Sequence, residues 1–375
     1  MRILADENIT QVREYFAPYG EVLTVAGRSI TAANVRDCDA LLVRSVTPVT
    51  AGLLRDSRCR FVATATSGID HIDVAGLASA GIALGWARGC NAVSVVDYVF
   101  SVLASISDDS GDDWRHWSVG IIGCGEIGSR LAGRLLQLGM TVQIHDPLLP
   151  RSHPLAFCFA PMERVLQQQV VTLHVPLTRD GGFPTWHLLA RRQLDLIPPT
   201  SLFINAARGA AVDNSALLQW LDDRPQQRVV LDTWEHEPTI SLELLSRVKL
   251  GTPHIAGYSF EGKLTGTRMI LRDFCRHFSL PESVTTESTC VPLAVPVEGT
   301  ESTRLNGLIR QAYDVRRDHR AMLSLLQSSD PPGDFDALRK HYPQRHEFSH
   351  YRIDAGALPP AIAAVAAILG FRVQS

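Results

Sequence analysis

Short apolar runs alternate with helical patterns through the first 260 residues of the chain. The runs are bounded by polar residues, glycine or proline, which is typical of buried parallel strands. The predicted strands are Arg2–Ala5, Ala40–Arg44, Phe61–Thr64, Val119–Gly123, Thr141–His145, Val170–His174, Leu202–Asn205 and Val229–Asp232. A helical pattern from Asn91 to Ile106 and a polar break, Ser107–Asp113, separate two such series. The spacing leaves room for crossover helices and predicts an α/β fold with two doubly wound, Rossmann-like parallel sheets.

The pattern changes after about residue 285. A β-like run with prolines precedes a helical pattern over Glu301–Gln327, and a small-residue helix is predicted over Pro359–Leu369. A further strand is predicted near Phe348–Ile353. These elements predict a smaller α+β C-terminal domain of about 90 residues. Dimerisation is its favoured role, and packing on its own chain is the alternative.

Composition narrows the class of protein. A chain of 375 residues exceeds one ordinary core, so two or three domains are expected. A net charge of −3 gives no basic field for nucleic acid or an anionic membrane. The seven cysteines are scattered without a C-x-x-C pair, the first residues lack a signal-peptide pattern, and no apolar run approaches about 20 residues. A cytoplasmic protein with reduced thiols is expected, without nucleic-acid or membrane partners.

A glycine-rich motif follows the predicted strand at residue 119. Gly123, Gly125 and Gly128 form G-x-G-x-x-G around Glu126 and Ile127, directly before a helical pattern. Such glycines allow a tight turn, close approach of the pyrophosphate, and close helix packing. Asp146 ends the next predicted strand, 146 − 128 = 18 residues further on. A carboxylate there accepts hydrogen bonds from ribose hydroxyls and repels a 2′-phosphate, which predicts NAD rather than NADP.

Three polar clusters at later strand ends contain the candidate catalytic residues Arg208, Glu237 and His254. Oxidation of a 2-hydroxy acid needs a cation that grips the carboxylate, and guanidinium does so in a planar, bidentate manner. It also needs a base, for which a histidine oriented by a carboxylate is suited. We assign substrate binding to Arg208, proton transfer to His254, and support of His254 to Glu237. Taken singly, each could instead be a surface arginine, a helix-cap carboxylate or a loop histidine.

These clusters resemble the D-isomer-specific 2-hydroxyacid dehydrogenase family over about residues 1–285. The resemblance rests on His174–Thr178, Asn205–Gly209, Val212-Asp213 and Thr252–His254. It implies a substrate-binding domain of residues 1–91 and 258–285, closing over an NAD-binding domain of residues 92–257. Residues 286–375 would then form the C-terminal dimerisation domain.

Three further segments, Arg44–Thr47, Ala65–Asp73 and His254–Lys263, resemble family members that oxidise a phosphorylated 2-hydroxy acid during vitamin B6 biosynthesis. The resemblance implies that Ser45, Thr66 and Tyr258 contact the substrate. It also implies a nicotinamide-side lining of Ala206, Ala207, Arg208, Asp232 and Gly257. Val175 departs from the family pattern, because related enzymes often carry a polar residue there and valine offers the cofactor only backbone groups.

The substrate phosphate needs its own donors, and the candidates are Arg44, Ser45, Thr66 and Ser67. Arg345 or Arg352 could reach it across a dimer interface, although a solvated strand edge is the favoured interpretation of their segment. Alternative functions are a 3-phosphoglycerate, glycerate or D-lactate dehydrogenase, and a non-catalytic NAD(H)-sensing dimer. No H-E-x-x-H motif occurs among the 13 histidines, so no metal is expected.

Overall fold

The computed structural model describes residues 1–282, 290–296 and 298–374. The chain divides into two compact units. The first contains Met1–Ala92 and residues 258–282, and the second contains Val93–Gly257 and the described residues from 290 onward. The predicted boundary between residues 285 and 286 lies outside the described residues, and the three-domain division stays a prediction.

The described part of the chain contains fourteen strands, numbered here in chain order. They are β1 Arg2–Asp6, β2 Glu21–Val25, β3 Ala40–Val43, β4 Phe61–Thr64, β5 Ala83–Trp86, β6 Val119–Ile122, β7 Val142–His145, β8 Val170–Leu173, β9 Leu202–Asn205, β10 Arg228–Leu231, β11 Leu250–Gly251, β12 Val291–Pro292, β13 Tyr351–Asp354 and β14 Arg372–Gln374.

The α-helices are numbered in the same way. They are α1 Val12–Phe16, α2 Ala32–Val35, α3 Ala51–Leu54, α4 Val74–Ser79, α5 Ala92–Ser110, α6 Glu126–Gln137, α7 Met162–Leu166, α8 Arg191–Leu194, α9 Asn214–Asp222, α10 Leu242–Arg247, α11 Phe260–Phe278, α12 Glu301–Ala312, α13 Val315–Met322, α14 Pro331–Lys340 and α15 Pro360–Leu369. Short 3-10 segments cover Ala17–Tyr19, Gly27–Ser29, Trp114–His116, Ala156–Cys158, Gly209–Ala211, Leu323–Gln327, Phe348–His350 and Ala355–Ala357. Within the described residues, no helix is long and apolar enough to cross a bilayer.

The first unit is built on a five-stranded parallel sheet of order β2-β1-β3-β4-β5. Helix α11 belongs to this unit although it follows the second unit in sequence. Its Phe274 ring lies 5.3 Å from Phe16 and 5.8 Å from Phe61, in edge-to-face contacts. These buried aromatic side chains fix the returning helix against the sheet.

The second unit is built on a six-stranded parallel sheet of order β11-β10-β9-β8-β6-β7. The order reverses beside β6, so the carboxyl ends of β6 and β8 border the crevice in which open α/β sheets bind ligands. A three-stranded parallel sheet, β12-β13-β14, completes the C-terminal part. Two Rossmann-like sheets and a smaller C-terminal sheet with helices confirm the predicted fold class.

The eight strands predicted in the first 260 residues are present, and none of their ends differs by more than one residue. Strands β2, β5, β11 and β14 were not predicted. The first two lie at sheet edges and are only partly buried, so their sequences lack a continuous apolar run. The predicted helix over 301–327 is instead divided, because Tyr313 is extended and the side chain of Asp314 caps a new helix at the amide of Arg316.

Candidate active site

The glycine-rich turn lies between β6 and α6. Gly123 has a φ of +92°, and a Cβ atom there would lie 2.6 Å from the carbonyl oxygen of His174. A Cβ atom at Gly128 would collide with the carbonyl group of Gly123, whereas one at Gly125 would meet open space. Backbone atoms therefore fill the space beside Gly123 and Gly128, whereas the space beside Gly125, before the N-terminus of α6, is open. This shape fits a pyrophosphate group.

Asp146 follows β7, which pairs with β6. Its Oδ2 atom accepts a hydrogen bond of 2.8 Å from the amide of Cys124, inside the glycine-rich turn. Its Oδ1 atom accepts one of 3.1 Å from the amide of Leu148. The carboxylate is thus fixed beside the turn, where the family's adenosine ribose would need an acceptor. Burial, with a smaller effect from Asp146, raises the pKa of the Cys124 thiol to about 11.

The other predicted cofactor residues lie in the second unit. Glu126 and Ile127 begin α6 and are partly buried. Val175 follows β8 and packs against the core of the sheet. Gly257 lies beyond β11, at the end of the described second-unit segment. Their contacts with NAD stay predictions.

The three candidate catalytic residues follow three neighbouring parallel strands. Arg208 comes after β9, Glu237 after β10 and His254 after β11. Because the carboxyl ends of parallel strands meet at one edge of the sheet, the three residues belong to the same edge. The structure brings two of them into direct contact, since His254 Nδ1 lies 2.7 Å from Glu237 Oε2.

The environment of Glu237 favours its charged form. Burial acts to raise its pKa, but the nearby His254, their mutual hydrogen bond and the amide of Trp234 outweigh burial, so the pKa lies below the ordinary value. The Trp234 amide donates to Oε1 at 2.8 Å. A carboxylate that is fixed at both oxygens can orient the imidazole of His254.

The backbone of His254 is held in an unusual conformation. Its φ is +56°, in the left-handed region that non-glycine residues rarely adopt. Its amide donates to the carbonyl of Asp232 at 2.7 Å and to that of Thr252 at 3.0 Å. Strain of this kind persists where surrounding contacts over-determine the conformation, which is common at functional sites.

Asp232 provides several of those contacts. Its Oδ1 accepts from the Thr252 hydroxyl at 2.6 Å and from the Ile255 amide at 2.8 Å, and its Oδ2 accepts from the Ala256 amide at 2.9 Å. The side chain is buried, and burial raises its pKa against the effect of His254 and these hydrogen bonds. In the structure Asp232 holds the catalytic segment. The expected lining of the nicotinamide side stays a prediction.

Asn205 was not predicted as a functional residue, although it begins the Asn205–Gly209 cluster. Its Oδ1 accepts from the amide of Ala207 at 3.1 Å, and its Nδ2 donates to the carbonyl of Arg208 at 3.1 Å. The Arg208 side chain donates to the Ala207 carbonyl at 2.9 Å. The asparagine therefore shapes the loop of Ala206 to Arg208. The sequence could have indicated this role, because Asn205 is a polar residue at the end of the otherwise apolar strand β9.

The predicted substrate residues of the first unit also follow neighbouring strands, β3 and β4. Arg44 Nε lies 3.0 Å from Oδ2 of the buried Asp6, and Ser45 is exposed. Ser67 Oγ accepts from the amide of Gly89 at 3.1 Å. The Lys263 ammonium lies 5.0 Å from the centroid of the Tyr258 ring. Their contacts with substrate stay predictions.

Thr66 belongs to a hydroxyl network that sequence reasoning missed. Its Oγ1 lies 2.8 Å from that of Thr64, which lies 3.1 Å from His71 Nε2. Burial lowers the pKa of His71. Thr66 and His71 both lie in the Ala65–Asp73 segment, which the sequence analysis identified. The structure adds that Thr64, the last residue of β4, joins the two side chains.

The hypothesis that the Arg345 side chain reaches another subunit is wrong, because in this structure the side chain is buried within its own chain. Arg345 is 7% exposed, and its guanidinium donates to the carbonyls of Ser94 at 3.1 Å and Ala256 at 2.6 Å in its own chain. The favoured alternative of a solvated strand edge is also wrong for this residue. Arg352, on β13, is exposed.

Family models match the second unit and the C-terminal part. The NAD binding domain of D-isomer specific 2-hydroxyacid dehydrogenases matches residues 100–256, and a domain of unknown function, DUF3410, matches residues 292–367. A curated erythronate-4-phosphate dehydrogenase of Cellvibrio japonicus is 43% identical over 382 residues, covering 99% of this chain and 100% of the relative. One of Edwardsiella ictaluri is 44% identical over 365 residues, covering 94% of each chain.

Solved structures share the fold at lower identity. A D-lactate dehydrogenase from Aquifex aeolicus complexed with NAD and lactic acid has a TM-score of 0.62 at 21% identity, covering 74% of this chain and 96% of its own. An NAD-bound 3-phosphoglycerate dehydrogenase of Entamoeba histolytica has a TM-score of 0.64 at 19% identity, covering 76% and 99%. The chain belongs to the erythronate-4-phosphate dehydrogenases of the D-isomer specific 2-hydroxyacid dehydrogenase family.

Proposed function

We propose that the protein oxidises 4-phospho-D-erythronate to (R)-3-hydroxy-2-oxo-4-phosphooxybutanoate, in pyridoxine 5′-phosphate biosynthesis. The observation that carries the proposal is the 2.7 Å contact of His254 Nδ1 with Glu237 Oε2, at the strand edge that also bears Arg208. The chain is an NAD-dependent oxidoreductase of its family. The glycine-rich turn and Asp146 would hold NAD, which would supply the acceptor for the hydride from carbon 2 of the substrate.

His254 is the residue that takes the hydroxyl proton. Its Nδ1 is engaged by Glu237, so Nε2 is the ring nitrogen that serves as the base. About a third of the His254 side chain, 34%, is exposed, which leaves it accessible to a ligand. As the proton reaches the imidazole, the anionic Glu237 stabilises the resulting imidazolium.

Arg208 binds the substrate carboxylate and polarises the reacting oxygen. A guanidinium offers parallel N–H donors to two oxygens, which holds carbon 2 in one orientation. Its position after β9, next to the strand that leads to Glu237, supports this assignment. The substrate therefore loses a hydride and a proton, and its C2–OH becomes a C2=O group.

A substrate panel tests the proposal. The protein would be incubated with NAD and each of 4-phospho-D-erythronate, D-erythronate, 3-phosphoglycerate, D-glycerate and D-lactate, with NADH formation followed by absorbance. We expect the highest kcat/KM with 4-phospho-D-erythronate. Preference for another acid would instead assign a different dehydrogenase activity, and NADH binding without any turnover would favour a non-catalytic sensor.

A variant of His254 tests whether the activity depends on this site. His254→Asn removes the titrating base while retaining a hydrogen-bonding group near Glu237, and we expect kcat to fall about 10²- to 10⁴-fold. The exposed His116 provides the control, His116→Asn, which should retain activity. Undiminished turnover in His254→Asn would contradict the proposed mechanism.

The phosphate-binding role belongs to Arg44, Ser45, Thr66 and Ser67. Arg44→Met should raise KM for 4-phospho-D-erythronate more than KM for D-erythronate, because only the former carries the phosphate. Arg55→Met changes an exposed arginine of the same unit and serves as the control. Equal effects on both substrates would remove Arg44 from the phosphate site.

The proposal also covers the location and the oligomeric state of the protein. The protein is a cytoplasmic homodimer assembled through its C-terminal part. None of the seven cysteines, all of them among the described residues, forms a disulfide bond, which supports a reducing compartment. Sedimentation equilibrium of the full chain tests the dimer, and a monomer mass at micromolar concentration would contradict it.

A further inference from the structure

The catalytic His254 lies in a short backbone segment, Gly251–Ala256, in which three amides and three carbonyls form hydrogen bonds with side chains from elsewhere in the chain. Some partners come from the NAD-binding sequence. Asp232 accepts from two of the amides, and Trp234 Nε1 donates to the carbonyl of Thr252 at 2.9 Å. The Ser94 hydroxyl donates to the carbonyl of Ala256 at 3.0 Å. Two further partners come from the C-terminal part of the chain.

Arg345 is the first of these. Its guanidinium donates to the carbonyl of Ala256 at 2.6 Å and to that of Ile255 at 3.4 Å. The same two residues donate their amides to Asp232. The peptide group between Ile255 and Ala256 is therefore held by a buried carboxylate at its N–H and by a buried guanidinium at its C=O, and each flanking peptide group is held by one of the two. Charge-assisted hydrogen bonds of this kind are stronger than neutral ones and fix orientation.

His319, on α13, is the second. Its Nδ1 atom accepts a hydrogen bond of 3.0 Å from the amide of Gly251, at the opposite end of the segment. Burial lowers the pKa of His319, which favours the neutral imidazole that can accept at Nδ1. The C-terminal part thus holds the catalytic segment on both sides of His254.

Arg345 is itself held in place. The Tyr313 ring lies 4.2 Å from its guanidinium carbon, and Ser94 offers a carbonyl at 3.1 Å. Asp318 accepts from the hydroxyls of Tyr313 at 2.7 Å and Tyr342 at 2.8 Å. Burial acts against the charge of Arg345, but Tyr313, Tyr342 and Asp318 outweigh it and raise the pKa. The cation is therefore permanent, and its position is fixed by neighbours from both parts of the unit.

Apolar packing joins the same two parts. Met322, Leu325 and Phe335 from the C-terminal part are fully buried in the core of the NAD-binding sheet. In that core they lie with Leu244 and Leu245 of α10, which precedes the catalytic segment. A segment with a left-handed residue needs such rigid support, because its conformation is unfavourable in isolation.

We propose that the C-terminal part is a positioning element for the general base, with Arg345 and His319 as positioning residues that hold the His254 segment from its two ends. This inference rests on the proposed function for the role of His254. It assigns a task within one chain to a sequence region that matches a domain of unknown function. Neither residue touches the reacting atoms, so both act through the backbone of the segment.

Arg345→Met tests the C-terminal end of the segment. It removes the donors to Ile255 and Ala256 and retains most of the side-chain length. Small misplacement of a catalytic group costs about 10- to 100-fold, so we expect kcat to fall by about that factor. The affinity for NADH should change less than about twofold. Arg317→Met changes an exposed arginine of the same part and should behave as wild type.

A pair of variants at His319 separates positioning from folding. His319→Asn retains an acceptor near the position of Nδ1 and should keep kcat within a few-fold of wild type. His319→Leu removes the acceptor and should lower kcat, again with NADH affinity preserved. Equal kcat values in the two variants would contradict the role of the Gly251 hydrogen bond.

An NMR titration of the His254 imidazole in the NADH-bound protein gives a readout that is independent of turnover. The His254 signal is assigned by its disappearance in His254→Asn. We expect Arg345→Met to shift its titration midpoint, because the contact with Glu237 is disturbed. Unchanged midpoint and kcat would overturn the inference, as would losses of kcat and NADH binding in parallel. Wild-type protein that titrates as expected but does not oxidise 4-phospho-D-erythronate would overturn only the proposed substrate.

Discussion

Glu237 Oε2 lies 2.7 Å from His254 Nδ1, while Glu237 Oε1 accepts from the backbone amide of Trp234 at 2.8 Å. The carboxylate therefore cannot rotate away from the imidazole without losing a second hydrogen bond. Its pKa lies below the ordinary value despite burial, so it is ionised throughout the neutral range. Above the pKa of Glu237 the carboxylate stays ionised, so only a proton on His254 can change the net charge of the pair.

Glu237→Gln should lower kcat and shift the acid limb of the kcat/KM profile. The amide retains a hydrogen-bonding group but removes the negative charge that stabilises imidazolium. Protonated His254 is then less favourable, so the apparent pKa of the acid limb should fall. We expect kcat to decrease about 10- to 100-fold, measured with 4-phospho-D-erythronate and NAD from pH 5 to 9.

The matched control for this change is Glu243→Gln, at an exposed position of α10. It makes the same substitution without altering the site. An unchanged acid limb in Glu237→Gln, or an equal effect in both variants, would show that the carboxylate does not tune the base.

Two glycines of the dinucleotide turn should respond differently to alanine. In Gly128→Ala the new methyl group would collide with the carbonyl of Gly123, so both thermal stability and NADH affinity should fall. In Gly125→Ala the methyl group meets no protein atom within 4 Å. It occupies the space assigned to the pyrophosphate, so NADH affinity should fall about tenfold or more with little change in Tm.

Calorimetric titration with NADH and thermal unfolding of the same samples would measure both effects. Gly133→Ala, on the open side of α6, is the control that should alter neither. Strong NADH binding by Gly125→Ala would place the pyrophosphate elsewhere.

Much of the second unit could be predicted because its central strands are buried on both faces. Strands β8 and β9 are fully buried, so their sequences are mostly apolar and are followed by polar clusters. The same reasoning placed Arg208 after β9, whereas Asp146 was identified by its distance in sequence from the glycine-rich motif. Strand β11 has only two residues and leaves almost no pattern, although it leads directly to His254.

The hydrogen bonds of Arg345 to the segment that contains His254 could not be predicted from the sequence. Arg345 and Ala256 are 89 residues apart in sequence, and their hydrogen bond depends on how two parts of the unit pack. A charged residue in a polar stretch is usually solvated, which made the surface interpretation reasonable. Only the surrounding carbonyls and the ring of Tyr313 show why a buried guanidinium is stable there.

Coenzyme choice should depend on Asp146. Its carboxylate lies beside the glycine-rich turn and would repel the 2′-phosphate of NADP. Asp146→Ala should lower kcat/KM with NAD and raise the NADP/NAD ratio of kcat/KM by about tenfold or more. Asp180→Ala, at an exposed position, is the control. A ratio that does not change in Asp146→Ala would mean that another residue excludes the 2′-phosphate.

His174 should make the protein sensitive to acid. The side chain is 7% exposed, its Nε2 lies 3.0 Å from Thr172 Oγ1, and burial lowers its pKa to about 3. In the unfolded chain the pKa is near 6.5, so the unfolded state binds more protons between pH 6.5 and 3. The stability contributed by neutral His174 is therefore complete above pH 6.5 and is lost as the pH falls towards 3. The loss amounts to about 1.4 kcal/mol per pH unit in that window.

His174→Gln should reduce this dependence, because the amide retains a hydrogen-bonding group for Thr172 and does not titrate. Urea unfolding at pH 7.5, 6.5, 5.5 and 4.5 would give the free energy of unfolding of both proteins. We expect the wild-type value to fall more steeply below pH 6.5 than that of the variant. His116→Gln, at an exposed histidine, should follow the wild type. Parallel curves for His174→Gln and wild type would mean that His174 is protonated in the folded protein as readily as in the unfolded chain.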